Sequence, residues 1–156
     1  MVTVDTLRAS PLFSELEDQE LQKIVPLCRE EQRPRGTVIF TKGDEADTLY
    51  LLEKGEVRLV YEICPQPDAC ENTTIPVETA GMVIGWSALV RPRRLTASAH
   101  CLSDVQLVAI NGEALSDLLE QDSHMGFVVM KALAKVINDR LRQAKELSFD
   151  RVMGVL

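Results

Sequence analysis

The sequence contains no long hydrophobic run. Its apolar stretches fall well short of the roughly 18 consecutive residues that a membrane-spanning helix needs. The N-terminus also lacks the basic-then-apolar pattern of a secretory signal peptide. We therefore expect a cytoplasmic protein that does not bind a membrane.

Basic residues are scarce relative to acidic ones. The chain of 156 residues has 17 Lys and Arg against 24 Asp and Glu, which gives a net charge of −7 at pH 7. Because nucleic acids bind clustered cations, this balance excludes a protein that binds DNA or RNA over its whole surface. The length is typical of one domain with one sizeable core, and we expect a single domain over residues 1–156.

Cysteine occurs at only four positions, Cys28, Cys64, Cys70 and Cys101. The five residues between Cys64 and Cys70 are too many for a CxxC zinc or redox motif, and no histidine lies near enough to complete a metal site. Free thiols are the favoured interpretation, with a loop disulfide or an adventitious metal ion as alternatives. No paired carboxylates, catalytic triad or set of metal ligands emerges elsewhere, so we expect neither an enzyme nor a metalloprotein.

Hydrophobic periodicity divides the chain into three parts. Residues 1–31 are predicted to hold helices, because apolar residues from about Leu7 to Arg29 recur at helical spacing and Ser14 can cap a helix. Residues 32–111 show a period of two, interrupted by turn residues, which favours a sandwich, jelly roll or small barrel. Residues 112–148 return to helical spacing. The predicted strands are Thr37–Phe40, Thr48–Leu52, Val57–Ile63, Thr74–Val77, Thr96–Cys101 and Val105–Ile110, and the predicted C-terminal helices are Glu113–Leu119 and His124–Leu147.

The long C-terminal helix has two apolar stripes. One stripe can cover the β-domain while the other meets a partner, so we predict a homodimer formed through this helix. The alternative is that both stripes are buried within one chain. The predicted dimer stripe consists of Phe127, Met130, Ala134, Ile137 and Leu141, and the stripe beside it of Val129, Leu133 and Val136.

One segment departs from the acidic character of the chain. No Asp or Glu occurs from Thr79 to Ser103, whereas three arginines and a histidine do, namely Arg91, Arg93, Arg94 and His100. Gly85 within it would let the backbone approach a ligand closely, and a short helix after it would point N–H groups outward. This pattern favours a site for a small anion. The alternative is a loop with solvated arginines.

The whole chain resembles a known family. The order of elements, the glycine rhythm of RGTVIFTKGDEADTLYLLEKGEVRLV and the segment GWSALV…RRLTASA resemble the cyclic nucleotide-binding domain of the catabolite activator and fumarate-nitrate regulator superfamily, from about Leu7 to Leu147. The resemblance implies a mainly β fold with flanking helices, a double-stranded β-helix (jelly roll) followed by a long C-terminal helix. It also implies a phosphate-binding cassette, which in cAMP-binding members reads roughly Phe-Gly-Glu-(Leu/Ile)-Ala-Leu and then Pro-Arg-(Ala/Ser)-(Ala/Thr)-Thr-Val. There the Glu holds the ribose 2′-hydroxyl and the Arg pairs with the cyclic phosphate.

The cassette of this chain departs from that pattern at both ligand-binding positions. Gly85, Ala88 and Leu89 match, but Trp86 stands where the resemblance implies the glutamate. An indole has one donor and no acceptor for a ribose hydroxyl, so we expect it to fill the pocket, with stacking on a planar ligand as the alternative. The candidate ligand-binding residues are Gly85, Trp86, Ser87, Ala88, Arg94 and Thr96.

The second departure concerns the arginine. Alignment of LSDVQLVAI with the family's final strand places Leu95 at the arginine position, so that Arg94 comes one residue early. On a regular strand a shift of one residue turns a side chain to the opposite face. Arg94 would therefore reach the pocket only through a bulge or a different register.

The sequence thus predicts a small cytoplasmic sensor or regulatory module. It would bind a small anionic effector, a cyclic nucleotide or another anion, with weak or no affinity for cAMP, use no other cofactor, and signal through its dimerising helix. One alternative is the effector domain of a transcription regulator whose DNA-binding domain is absent from this chain, because only nine residues follow Leu147. Direct DNA binding is not expected in either case. The other alternative is a protein-interaction module without a ligand.

Overall fold

The structure is a computed structural model that describes the backbone of residues 1–155 and the side chains of residues 1–64 and 66–147. The helices are α1 (Val4–Arg8), α2 (Asp18–Ile24), α3 (Gly112–Gln121) and α4 (Ser123–Val155). The strands are β1 (Cys28–Arg33), β2 (Val38–Phe40), β3 (Thr48–Lys54), β4 (Val57–Gln66), β5 (Ala69–Val77), β6 (Val83–Ile84), β7 (Ser98–Cys101) and β8 (Val105–Asn111). Short 3₁₀ turns occupy Val25–Leu27 and Trp86–Leu89.

The strands form two four-stranded antiparallel sheets. One has the order β1-β8-β3-β6 and the other the order β2-β7-β4-β5. Helices α1 and α2 precede the sheets, and α3 and α4 follow them. The predicted mainly β jelly roll with flanking helices and a long C-terminal helix is confirmed.

Strands β3 and β8 are buried on both faces. Leu49 and Leu51 of β3 pack with the helices, whereas the alternate residues Tyr50 and Leu52 point into the space between the sheets. Because successive side chains of a strand point to opposite faces, one strand supplies two hydrophobic cores. The first sheet therefore contributes side chains both to the core beneath the helices and to the core between the two sheets.

Helix α4 buries one of its two stripes. Val129 and Leu133 are 0% and 3% exposed, and Val136 packs against the helical core. Farther along, Ala144 packs against the core between the sheets. The helix thus contacts the helical core near its start and the core between the sheets farther along.

The N-terminal boundary of the β-domain differs from the sequence prediction. Helix α2 ends at Ile24, because Pro26 lacks the N–H that a continuing helix needs, and β1 begins at Cys28 rather than after residue 31. This strand has the polar sequence CREEQR and pairs antiparallel with β8. The cap of α2 is also different, since Glu17 and Glu20 form a capping box there instead of Ser14.

The cysteine prediction is wrong for two of the four residues. Cys64 and Cys70 form a disulfide, because Ile63 pairs with Glu71 and Gln66 with Ala69 in the β4–β5 hairpin, which brings the two cysteines together. Cys28 and Cys101 are free thiols, as expected. Glu62 lies within 4.8 Å of the two sulfurs, but sulfurs bonded to each other are not thiolate ligands, so this exposed group makes no metal site.

No helix in the described part of the chain is long and apolar enough to cross a membrane.

Two glycines with the same backbone conformation offer a matched test of packing. Gly43 and Gly81 both have φ = 90°, where a side chain is strained. A Cβ at Gly81 would lie 2.3 Å from the carbonyl oxygen of Ala9 after α1, whereas a Cβ at Gly43 meets nothing within 4 Å. We expect Gly43→Ala to lower the free energy of unfolding by about 1 kcal/mol and Gly81→Ala by about 3 kcal/mol or more in urea denaturation. Equal losses would show that α1 does not pack tightly against this turn.

Burial predicts an unreactive thiol at Cys28. Desolvation raises the pKa of this thiol to about 12, so only about one molecule in 10⁴ would carry a thiolate at pH 8. We expect native protein to show no fast reaction of Cys28 with Ellman's reagent at pH 8, and full reaction in denaturant. An exposed cysteine introduced as Lys135→Cys is the positive control. Rapid labelling of native Cys28 would show that this partly buried thiol is accessible and readily ionised.

Candidate effector site

The cassette turn Trp86–Leu89 follows β6 directly. Gly85, the residue before this turn, has a left-handed backbone conformation with φ = 77°. A Cβ at that position would lie 3.1 Å from the carbonyl oxygen of Thr48, so the glycine also permits close approach to β3. The N–H of Ala88, which we expected to face an anion, instead donates to the carbonyl oxygen of Gly85 within the turn.

The cassette turn rests on the start of α3. Ala88 is 1% exposed, and a Cβ added to Gly112 would lie only 2.8 Å from the Ala88 Cβ. The N–H of Gly112 donates to the carbonyl oxygen of Asp47. The turn therefore contacts α3, which leads directly to α4.

Backbone hydrogen bonds set the register of the segment around Arg94. Leu95 donates to the carbonyl oxygen of Asp44 and accepts from Gly43, and Arg93 accepts from Ala46, at 2.8–2.9 Å. These bonds turn Leu95 inward, where it is 8% exposed and packs with Ala46 and Ala88.

Arg94 consequently points away from the pocket. Its side chain is exposed, and its Nη1 donates to the carbonyl oxygen of Gly43 at 3.1 Å. The side chain lies on the face opposite Leu95, as the one-residue offset implied, and no bulge redirects it. The structure therefore does not bring Arg94 together with the other candidate residues.

The basic segment is not isolated from negative charge. In the fold its arginines lie beside the acidic turn Asp44–Asp47, with a backbone bridge between Glu45 and Arg94, and Arg93 and Glu45 line one surface depression. A segment whose sequence lacks acidic residues can therefore still lie on a surface that contains them.

The cavity at the family's ligand position is very small. Its volume is about 20 Å³, room for roughly one water molecule. The expected residues Gly85, Trp86, Ser87 and Thr96 line it. The other lining residues are Phe40, Leu59, Tyr61, Leu95 and Ala97, so its described lining contains no ionised side chain.

Arg140 is the residue of this site that the sequence reasoning missed. It extends from α4 so that its Cζ lies 5.0 Å from the centre of the Trp86 ring, a cation–π contact, and its Nη2 donates to the carbonyl oxygen of Val83 at 3.1 Å. The side chain is only 6% exposed. Its one sequence signal is position, since it comes seven residues after Leu133, on the buried stripe of α4.

Burial shifts the ionisation of two groups here. Desolvation lowers the pKa of Arg140, an effect partly offset by the neighbouring phenol of Tyr61. Desolvation also raises the pKa of Tyr61, and the guanidinium opposes that rise. The guanidinium of Arg140 therefore lies beside the phenol of Tyr61, and only the phenol lines the small cavity.

The predicted dimer stripe is exposed at four of its five positions. Phe127 is 67% exposed, Met130 39% and Leu141 53%, and Ala134 is also exposed. The fifth residue, Ile137, is partly buried against the helical core. The alternative in which both stripes are buried within one chain is therefore wrong for most of this stripe, and Ile137 belongs to the packed face.

Comparison with known proteins gives consistent results. Residues 30–122 match the family model of the cyclic nucleotide-binding domain. A solved structure from Geobacter metallireducens, described as a candidate cyclic nucleotide-binding protein, is 31% identical and has a TM-score of 0.76, with 90% of this chain and 99% of that one covered. The catabolite activator protein of Thermus thermophilus is 27% identical with a TM-score of 0.68, covering 92% of this chain and 63% of that one.

A curated relative shares only part of its length with this chain. An uncharacterised NTE family protein of Mycobacterium bovis is 23% identical over 150 residues, which are 96% of this chain but 24% of that protein. The family match covers more than half of this chain, and the Geobacter structure is matched over almost its full length. This chain therefore belongs to the cyclic nucleotide-binding domain family.

Proposed function

We propose that this chain is a sensor or regulatory module that binds a small anionic effector at the cassette and signals through α4 as a homodimer. The observation that carries the proposal is that α4 places the buried guanidinium of Arg140 over the ring of Trp86, with 5.0 Å from Cζ to the ring centre. An effector entering there has to contact or move α4. Binding that favours one position of the helix would shift the population of helix positions.

The effector is not expected to be cAMP bound in the usual way. Trp86 replaces the glutamate that the family uses for the ribose, and Leu95 replaces its arginine. The lining of the small cavity offers no ionised group for a phosphate. We therefore propose a cyclic nucleotide of other chemistry or a different small anion, with the protein acting in the cytoplasm and without direct DNA contact.

A module without any ligand is the second candidate. The cavity of about 20 Å³ favours it, because a nucleotide would enter only after Trp86 or α4 had moved. In that case the exposed stripe of α4 would itself be the functional surface. A chain used as the effector domain of a larger transcription regulator would have the same cassette and helix.

Isothermal titration with a panel of nucleotides tests the effector proposal. We expect cAMP to bind with a Kd above roughly 100 μM, because both ligand-binding side chains of the family are replaced. One other member of a panel of cGMP, cyclic dinucleotides, AMP and pyrophosphate should bind at least tenfold more tightly. The same ligand should change the emission of Trp86, which is the sole tryptophan.

Two results would contradict these expectations. Sub-micromolar cAMP affinity would show that Trp86 and Leu95 do not block the site. No heat with any member, together with unchanged Trp86 emission, would favour the ligand-free module.

Sedimentation equilibrium tests the dimer. Phe127→Glu or Leu141→Glu places a charge in the exposed stripe and should weaken self-association at least tenfold, because a desolvated carboxylate replaces buried apolar area. Arg142→Glu is the matched control on another exposed face of α4 and should have a much smaller effect. A wild-type protein that sediments as a monomer at high micromolar concentration would exclude this interface.

A further inference from the structure

The cassette of this chain has no cation of its own. Arg94 is turned outward onto the carbonyl oxygen of Gly43, and the buried Leu95 occupies the register position inside. The N–H of Ala88 is already used within the turn, and an anion buried without enough free donors or a counter-charge loses more hydration energy than it gains. If the site binds an anion, the positive charge has to come from another element.

The nearest buried positive charge is on α4. Arg140 is more than nine-tenths buried, and it forms no ion pair with a carboxylate among the described residues. Its Nη2 donates to the carbonyl oxygen of Val83 and the guanidinium interacts with the phenol of Tyr61, but its Nη1 is buried with no hydrogen-bond partner among the described residues. An unpaired buried donor is unusual, and burial of a guanidinium without a counter-charge is destabilising.

The position of Arg140 connects it to the cassette cavity. The guanidinium lies over Trp86 and beside Tyr61, and both of these residues line the small cavity. On the other side Arg140 borders an open groove of about 490 Å³ between the turn around Ser14 and α4. A small anion can therefore approach the groove side of Arg140 from solvent, and it reaches the buried Nη1 after a local movement of the side chain.

Among the charged residues that line that groove, Arg140 is the one that is buried. Lys135 pairs with Asp139 at 2.7 Å, and Lys131 lies over the Phe127 ring, with 5.8 Å from its Nζ to the ring centre. Glu15 is the remaining acid of the lining. It forms no ion pair with Arg140.

We propose that Arg140 is the anion-binding residue of this module, so that the cation for the effector's phosphate or other oxyanion is supplied by the signalling helix and not by the β-domain. The inference rests on the proposed function of the cassette. A phosphate oxygen would accept from Nη1, and the planar guanidinium can present two donors to one phosphate while its face stays on Trp86. An anion bound in this way holds α4 against the cassette directly.

Inorganic phosphate is a sufficient probe, since only the oxyanion is needed. We would titrate it against chloride at constant ionic strength and follow both Trp86 emission and thermal unfolding. Wild type should show a saturable change of emission and a rise in Tm of roughly 4 °C at ten times the Kd. Arg140→Met should remove both responses, and Arg140→Lys should weaken them at least fivefold, because an ammonium cannot form the paired contact.

Matched controls separate this proposal from a general effect of charge. Arg142→Met removes an exposed arginine two residues along the same helix, and Arg94→Gln removes the cassette arginine; both should respond within twofold of wild type. Methionine is chosen at position 140 because it can fill the same buried space, and circular dichroism with urea unfolding checks that the variant folds. Arg140→Gln is the second variant if methionine alters the fold.

The outcomes distinguish the two proposals. A phosphate response that survives Arg140→Met, or that is lost in Arg94→Gln, overturns the role of Arg140 but leaves an effector site in place. No response of wild-type protein to phosphate also overturns it, whereas nucleotide binding in the titration panel would still support the proposed function. Failure of both probes on wild-type protein contradicts both.

Discussion

The double burial of β3 and β8 is the constraint on which the rest of this structure depends. Each strand sends alternate side chains into the core between the sheets and into the core beneath the helices. The two cores therefore cannot be repacked independently, because a shift of either strand changes both. The cassette follows β6 of the first sheet. The same sheet packs against α4, so it positions both the cassette and the helix.

The site shows how local hydrogen bonding decides chemistry. Whether Arg94 or Leu95 faces the cavity depends on three backbone bonds between this segment and the turn Gly43–Ala46. Those bonds place an aliphatic side chain where the family resemblance implies a cation. The guanidinium of Arg140 is buried beside the cavity residues Trp86 and Tyr61, and it pairs with no carboxylate among the described residues.

Much of the fold could be predicted from the sequence, because the strands of the jelly roll alternate clearly and the glycines mark its turns. Strand β1 could not, since its polar sequence CREEQR is stabilised by pairing with β8 and carries little hydrophobic pattern of its own. The disulfide was missed for a related reason. The spacing of Cys64 and Cys70 becomes informative only when the hairpin register that places them together is known.

Within the site, the turn around Trp86 and the outward direction of Arg94 followed from the register argument, but Arg140 is distant in sequence and reaches the site only through the path of α4.

The contact between Ala88 and Gly112 has a mechanical consequence. A methyl group meets a backbone there, with too little space for even one added carbon atom. Neither group has a side-chain torsion that could absorb a displacement, so a movement of the cassette turn toward α3 has to be passed on as a movement of the helix itself. Because Asp122 alone separates α3 from α4, a displacement of α3 would act directly on the start of the long helix.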